Sequence, residues 1–207
     1  MEMKLNLNLR SRAVLSSLVS AAMAIGGLSA SAAEAQKKPE AGKVLIAFYS
    51  YTGNTRAAAE QIRKAVGGDW FEIKPLKPYP SSHSACVAQA KKEIRDGFAP
   101  ALADEIDLTP YEVIFLGSPN WWGTMAPPVL AFIKKNRFTG KTIIPFFTHG
   151  GGGVQHCEED MRKYCEAADA GKILDPGVYS GKLCREPIPE LAQWAEKSLK
   201  DAQVKKK

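Results

Sequence analysis

A doubly wound parallel α/β sheet is the architecture this sequence predicts, and three observations carry the prediction. Residues 44–49 and 113–117 are continuous apolar runs, as expected of strands covered on both faces. Segments whose apolar residues recur at helical spacing alternate with such runs. Loops rich in hydroxyl residues and glycine follow directly on the strongest runs, at the strand ends where open α/β sheets bind ligands.

The chain has 207 residues, 45% of them hydrophobic, enough for one core. Its first 35 residues differ in kind from the rest. Lys4, Arg10 and Arg12 form a basic start, residues 13–28 are apolar and rich in small side chains, and Ala-x-Ala sites follow at Ala30-Ser31-Ala32 and Ala33-Glu34-Ala35. That order predicts a secretory signal peptide over residues 1–35. The apolar run is short for a membrane span, which needs about 20 residues. The expected mature chain is exported, most simply to a periplasm, with no membrane span; a segment that does not work as a signal would leave it in the cytoplasm.

A linker occupies residues 36–42, and a domain is expected over 43–200. Strand 44–49 leads into a helix carrying Ala58, Ile62, Ala65 and Val66, stopped by Gly67-Gly68. A shorter strand at 70–73 ends before the prolines at 75, 78 and 80, and a helix follows over about 84–96. Strand 113–117 precedes Pro127-Pro128, which suit the first turn of a helix. Strand 142–148 contains Pro145, which local rules leave unexplained, because proline cannot donate to a ladder. Glu158, Glu159 and Asp160 complement the positive end of the next helix. A weaker strand broken by Pro176-Gly177 and a helix lined by Leu191, Trp194, Ala195 and Leu199 complete five strands with right-handed crossovers. Residues 201–207 read as a basic tail.

The net charge of +6 is modest, and no stretch interleaves basic and aromatic residues, which argues against nucleic acid. The spacing of Cys86, Cys157, Cys165 and Cys184 fits neither a zinc site nor a Cys-x-x-Cys redox pair. Gly-x-Ser-x-Gly and Cys-x5-Arg are absent, which removes the common serine hydrolase and phosphatase chemistries.

Three loops carry the chemistry. Ser50-Tyr51-Thr52-Gly53-Asn54-Thr55 opens the first helix with neutral donors, suited to a terminal phosphate held by backbone N–H groups and hydroxyls. It lacks the lysine of a nucleoside-triphosphate loop and the three glycines of a dinucleotide fingerprint. Pro119-Asn120-Trp121-Trp122-Gly123 offers two adjacent tryptophans, one to stack on a flat aromatic ligand and one to plug the core; the residues do not say which. Thr148-His149-Gly150-Gly151 allows close backbone approach to a ligand. His149 could contact a flat ligand's edge or a substrate and is a candidate for proton transfer, although a lone histidine is more often structural.

In order and spacing these three loops resemble those of the short-chain bacterial flavodoxin-like family, over about residues 43–200. The resemblance implies strand order 2-1-3-4-5 and flavin mononucleotide (FMN) as cofactor. It implies that Ser50, Tyr51, Thr52, Gly53, Asn54 and Thr55 hold the FMN phosphate. Pro119, Asn120, Trp121, Trp122, Gly123, Thr148, His149, Gly150 and Gly151 would flank the isoalloxazine ring. An electron carrier serving a redox partner protein or a small acceptor is the expected function. An FMN-dependent NAD(P)H or quinone-type reductase, and a flavin-free binding module, are the alternatives. The signal segment, the basic balance, and Gly152-Gly153 with Cys157 depart from the family pattern. Cys157 and Cys184 both fall near the ligand edge, where an oxidising compartment could join them as a disulfide.

Overall fold

The computed structural model describes residues 43–204. The expected signal segment, the linker and Lys205 to Lys207 lie outside the described residues. The elements run β1 (Lys43–Phe48), α1 (Asn54–Val66), β2 (Asp69–Glu72), α2 (His83–Arg95), β3 (Tyr111–Trp121), β4 (Thr124–Met125) and α3 (Pro127–Lys135). Then come β5 (Thr142–His149), α4 (Cys157–Ala167), β6 (Lys172–Ile173), β7 (Gly177–Ser180), a 3-10 turn (Leu183–Arg185) and α5 (Pro189–Gln203). Helix α5 thus runs past residue 200, into what the sequence suggested was tail. No helix among the described residues is long and apolar enough to cross a membrane.

The sheet path is β2-β1-β3-β5-β6, all parallel. Two features depart from the expected five strands. Strand β4 pairs antiparallel with the end of β3, and the last strand is split, β6 against the start of β5 and β7 against its end. The split explains Pro145. Leu174 N–H donates to Ile143 C=O at 3.0 Å, so Ile143 faces the β6–β7 side. Strand alternation turns Pro145 to that same side. It meets the stretch between Ile173 and Gly177, where the neighbouring strand is interrupted and no donor is needed.

Side-chain alternation divides the core. Leu45, Ala47, Ile114, Leu116, Ile143 and Phe147 face α2, α3 and α4. Val44, Ile46, Phe48, Phe115, Ile144 and Phe146 face α1 and α5. The sheet is therefore covered on both faces, which is why its strands read as unbroken apolar runs. Its exposed business edge is the carboxyl end of β1, β3 and β5.

Candidate functional site

The three loops converge at that edge. Gly53 caps α1 with φ +88°, a left-handed conformation that glycine adopts without strain. No side chain caps this helix and no acidic residue stands in its first turn. The first N–H groups therefore remain available, at the positive end of the helix dipole. Thr55 Oγ1 and Thr148 Oγ1 lie 2.8 Å apart and buried, joining the first loop to the third.

The second loop is a hairpin rather than open coil, which corrects the expectation that β3 stops before Pro119. Trp121 pairs with Thr124, and the two residues between them, Trp122 and Gly123, have φ of 53° and 87°. Positive φ at both positions is the pattern of a type I′ turn. For a side chain as large as tryptophan this conformation is strained. Surrounding bonds hold it: Trp122 Nε1–H donates to Val87 C=O at 3.2 Å, and Lys91 Nζ sits 4.7 Å from a Trp122 ring centroid. Ser118 Oγ, fully buried, accepts the Ala126 N–H at 2.9 Å and closes the hairpin onto α3.

The two tryptophans separate cleanly. Trp121 packs edge-on against Tyr49, Tyr51 and Tyr79, with centroids 5.6, 5.9 and 4.9 Å away, and plugs the core. Trp122 is 54% exposed, beside the cleft. Asn120 is a tie between loops: its Nδ2 donates to Gly153 C=O (2.8 Å) and Gln155 Oε1 (2.9 Å), and its Oδ1 accepts the Gly123 N–H (2.9 Å). His149 Nδ1 accepts the Gly151 N–H at 3.1 Å, which leaves Nε2 as the proton-bearing nitrogen.

A cavity of about 660 Å³ lies between these loops. Of the residues singled out in the sequence, Tyr51, Thr52, Asn54, Thr55, Pro119, Asn120, Trp121, Trp122, Gly123, Thr148, His149 and Gly150 line it. Ser50, Gly53 and Gly151 do not. Ser50 borders a neighbouring open cavity of about 840 Å³, which shares Tyr51, Thr52 and His83 with the first.

Sequence reading missed one wall. His83, Cys86, Val87 and Ala90 come from one stripe of α2, at the i, i+3, i+4, i+7 spacing that marks a single helix face. Gly152, Gln155 and Gly181 also line the cavity, with no local signal to announce them. Tyr51 is turned by its hydroxyl, which donates to Pro80 C=O at 2.6 Å.

All four cysteines are buried and unpaired. The Cys157–Cys184 bridge is not formed, because Cys157 packs among the residues facing α2 to α4 while Cys184 lies in the cluster facing α1 and α5. The sheet separates them. Burial pushes the Cys157 and Cys165 thiols up to about 12, and Cys184 up to about 11, from an ordinary 9.0. The folded chain then keeps protons that the unfolded chain releases above about pH 9, so stability must fall as pH rises from there. The buried phenols of Tyr49 and Tyr179, also raised by burial, act in the same direction. The expected result is a urea midpoint that drops between pH 8 and pH 10.5, with four thiols counted only after denaturation without reductant. A flat midpoint over that range, or fewer than four thiols, contradicts it.

Comparison with known proteins accords with this fold. A Bacteroides eggerthii DSM 20697 protein designated a flavoprotein shares 28% identity and a TM-score of 0.65, covering 79% of this chain and 99% of that one. A Lactobacillus acidophilus NCFM flavoprotein, solved in complex with FMN, has the same fold at 22% identity and TM-score 0.57, covering 69% of this chain and 96% of the other. An NAD(P)H dehydrogenase (quinone) of Cupriavidus metallidurans is 30% identical over 93 residues, 45% of this chain; the chain spans under half, 46%, of that relative's length. The family model described as flavodoxin matches residues 43–198, and the chain belongs to the flavodoxin family.

Proposed function

We propose that this protein binds FMN in the 660 Å³ cavity and serves as an exported electron carrier. The observation that carries the reading is an anion seat of free N–H groups and hydroxyls at the start of α1, continuous with a cleft walled by Tyr51, Trp121 and Trp122. The cavity volume is that of a small-molecule or cofactor site. The donor chemistry fits a phosphate monoester. The α1 cap has no side-chain bond, and Thr52, Asn54 and Thr55 line the seat.

Bound FMN would supply the electron chemistry. The chain's part is to hold and tune it. Thr52, Asn54, Thr55 and the first N–H groups of α1 would take the phosphate. Tyr51 and Trp122 offer apolar ring faces to the flavin ring, and His149 offers an Nε2–H donor on the opposite loop. The hairpin and the glycine loop, tied together through Asn120, would keep the ring's surroundings rigid, so that redox change needs little rearrangement. Residues 1–35, with their signal pattern, support export as part of the same reading.

The direct test is the visible spectrum of the chain from residue 36 onward, mixed with FMN and passed through gel filtration. A flavin band travelling with the protein supports the reading; a colourless protein peak overturns it.

A second reading, an NAD(P)H-dependent reductase passing electrons to a quinone, is favoured by the open cavity of about 840 Å³ beside the first, with Tyr51 between them. The partial likeness to the Cupriavidus dehydrogenase points the same way. Steady oxidation of a reduced nicotinamide with added quinone would select the enzyme; its absence from a protein that retains FMN would select the carrier.

A further inference from the structure

Arg185 lies far from the three loops in sequence and reaches the first of them in space. Its Nε–H donates to Asn54 Oδ1 at 3.1 Å and its Nη2–H to Thr52 C=O at 3.2 Å. A guanidinium carries five N–H donors in a fixed fork, so three remain for another acceptor. Thr52 and Asn54 both line the cavity at the start of α1. Arg185 enters none of the ion pairs among the described residues, whereas the nearer cation in sequence, Arg56, is paired with Glu72.

The position of Arg185 is built, not incidental. Gln61 of α1 fastens the 3-10 turn on both sides: its Nε2 donates to Cys184 C=O (2.8 Å) and Glu186 C=O (3.0 Å), and its Oε1 accepts the Ile188 N–H (2.7 Å). Cys184, one residue before, is buried, and its Sγ–H donates to Ser180 C=O at 3.3 Å. Gly181 lets this segment lie against the loop, since a Cβ there would stand 2.7 Å from Asn54 Nδ2. The sequence suggested a seat of neutral donors only; the turn after β7 brings it a positive charge.

We propose that Arg185 is a ligand of the flavin phosphate, adding a charge-assisted bond to the neutral seat and giving the site a preference for phosphorylated flavin. The inference rests on the FMN reading above. Arg185 does not itself line the cavity but borders the seat through Thr52 and Asn54, which do, and its remaining N–H donors are of the kind with which arginine recognises phosphate oxygens. Riboflavin, which has the same ring and no phosphate, gains nothing from it.

The test compares FMN and riboflavin affinities, read by quenching of flavin fluorescence, for the unmodified protein, Arg185→Gln and Arg185→Lys at low and high salt. Arg185→Gln is expected to weaken FMN roughly tenfold at low ionic strength, and to leave riboflavin within about twofold. FMN binding by the unmodified protein should weaken as salt rises, and that dependence should shrink in Arg185→Gln and persist in Arg185→Lys, which keeps the charge. Equal losses of FMN and riboflavin, meaning a role only in loop shape, overturn the assignment, as does unchanged FMN binding in Arg185→Gln. A protein that retains no FMN before any substitution fails one step earlier: it overturns the FMN reading itself and this inference with it.

Discussion

Replacing Thr52 and Thr55 together by alanine is expected to weaken FMN binding by about 100-fold or more. Thr55 and Thr148 share one hydrogen bond between two hydroxyls, so of their two protons one is used internally and one remains for a ligand. Thr52 adds an exposed hydroxyl on the same cavity wall. Hydrogen bonds to a charged group contribute about 1.5–3 kcal/mol each. Two such bonds correspond to roughly two to four powers of ten in affinity, at about 1.4 kcal/mol per tenfold. Losing the buried Thr55–Thr148 bond also costs the fold about 1 kcal/mol, which leaves a chain of this size folded at room temperature. Circular dichroism and flavin titration on the same sample separate the two effects. The phosphate seat is misassigned if the folded double variant binds FMN within about twofold of its parent.

The loop proposed as that seat was legible as a strand-to-helix turn because its signals are local. Hydroxyls and a glycine between an apolar run and a helix-spaced segment mark the turn from a strand into a helix; that the glycine cap is left-handed and carries no side-chain bond is seen only in the structure. Only residues 50–55 are needed to see the turn. The strands β1, β3 and β5 were legible for a similar reason, since burial on both faces writes itself as continuous apolar sequence. The strand order was not written there; it followed from the resemblance.

What escaped the sequence depends on tertiary neighbours. Strand β4 is two residues long and has no periodicity, and its only mark is a bulky residue before glycine at 122–123. Pro145 looked misplaced because its fitness depends on where the opposite strand breaks, some 30 residues later. The fate of Cys157 and Cys184 turned on which face of the sheet each occupies. Both stand near the ligand edge in a topology diagram, yet the sheet lies between them. Arg185 gave no signal, because its partners Asn54 and Thr52 are 131 and 133 positions away.

The largest expected loss of stability comes from a single added methyl group, in Gly117→Ala. Gly117 lies in β3 between Phe48 of β1 and Phe146 of β5 in the ladder. A Cβ built there would stand 2.1, 2.5 and 2.7 Å from three ring atoms of Phe146. The ring therefore occupies the space that a side chain at 117 would fill. Phe146 is itself fully buried, in the cluster facing α1 and α5, and interiors packed to crystal-like density have no slack to receive it elsewhere. Overpacking of this kind costs about 1–3 kcal/mol, and the upper end or beyond is expected where contact falls on a confined ring. With a urea slope of about 2 kcal/mol per molar, the midpoint should fall by about 1 M or more. Phe146→Leu alone leaves a void and is also destabilising. Combined, each change relieves the other, so the double variant should be more stable than the two single losses predict when added, by about 1 kcal/mol or more. Strict additivity would mean that the ring and the missing side chain do not compete for one space. The consequence reaches the site, because the residues after Gly117 are Ser118, which fixes the hairpin onto α3, and Pro119, which lines the cavity. A displaced Gly117 should loosen flavin retention in Gly117→Ala, and Phe146→Leu should restore part of it along with the stability.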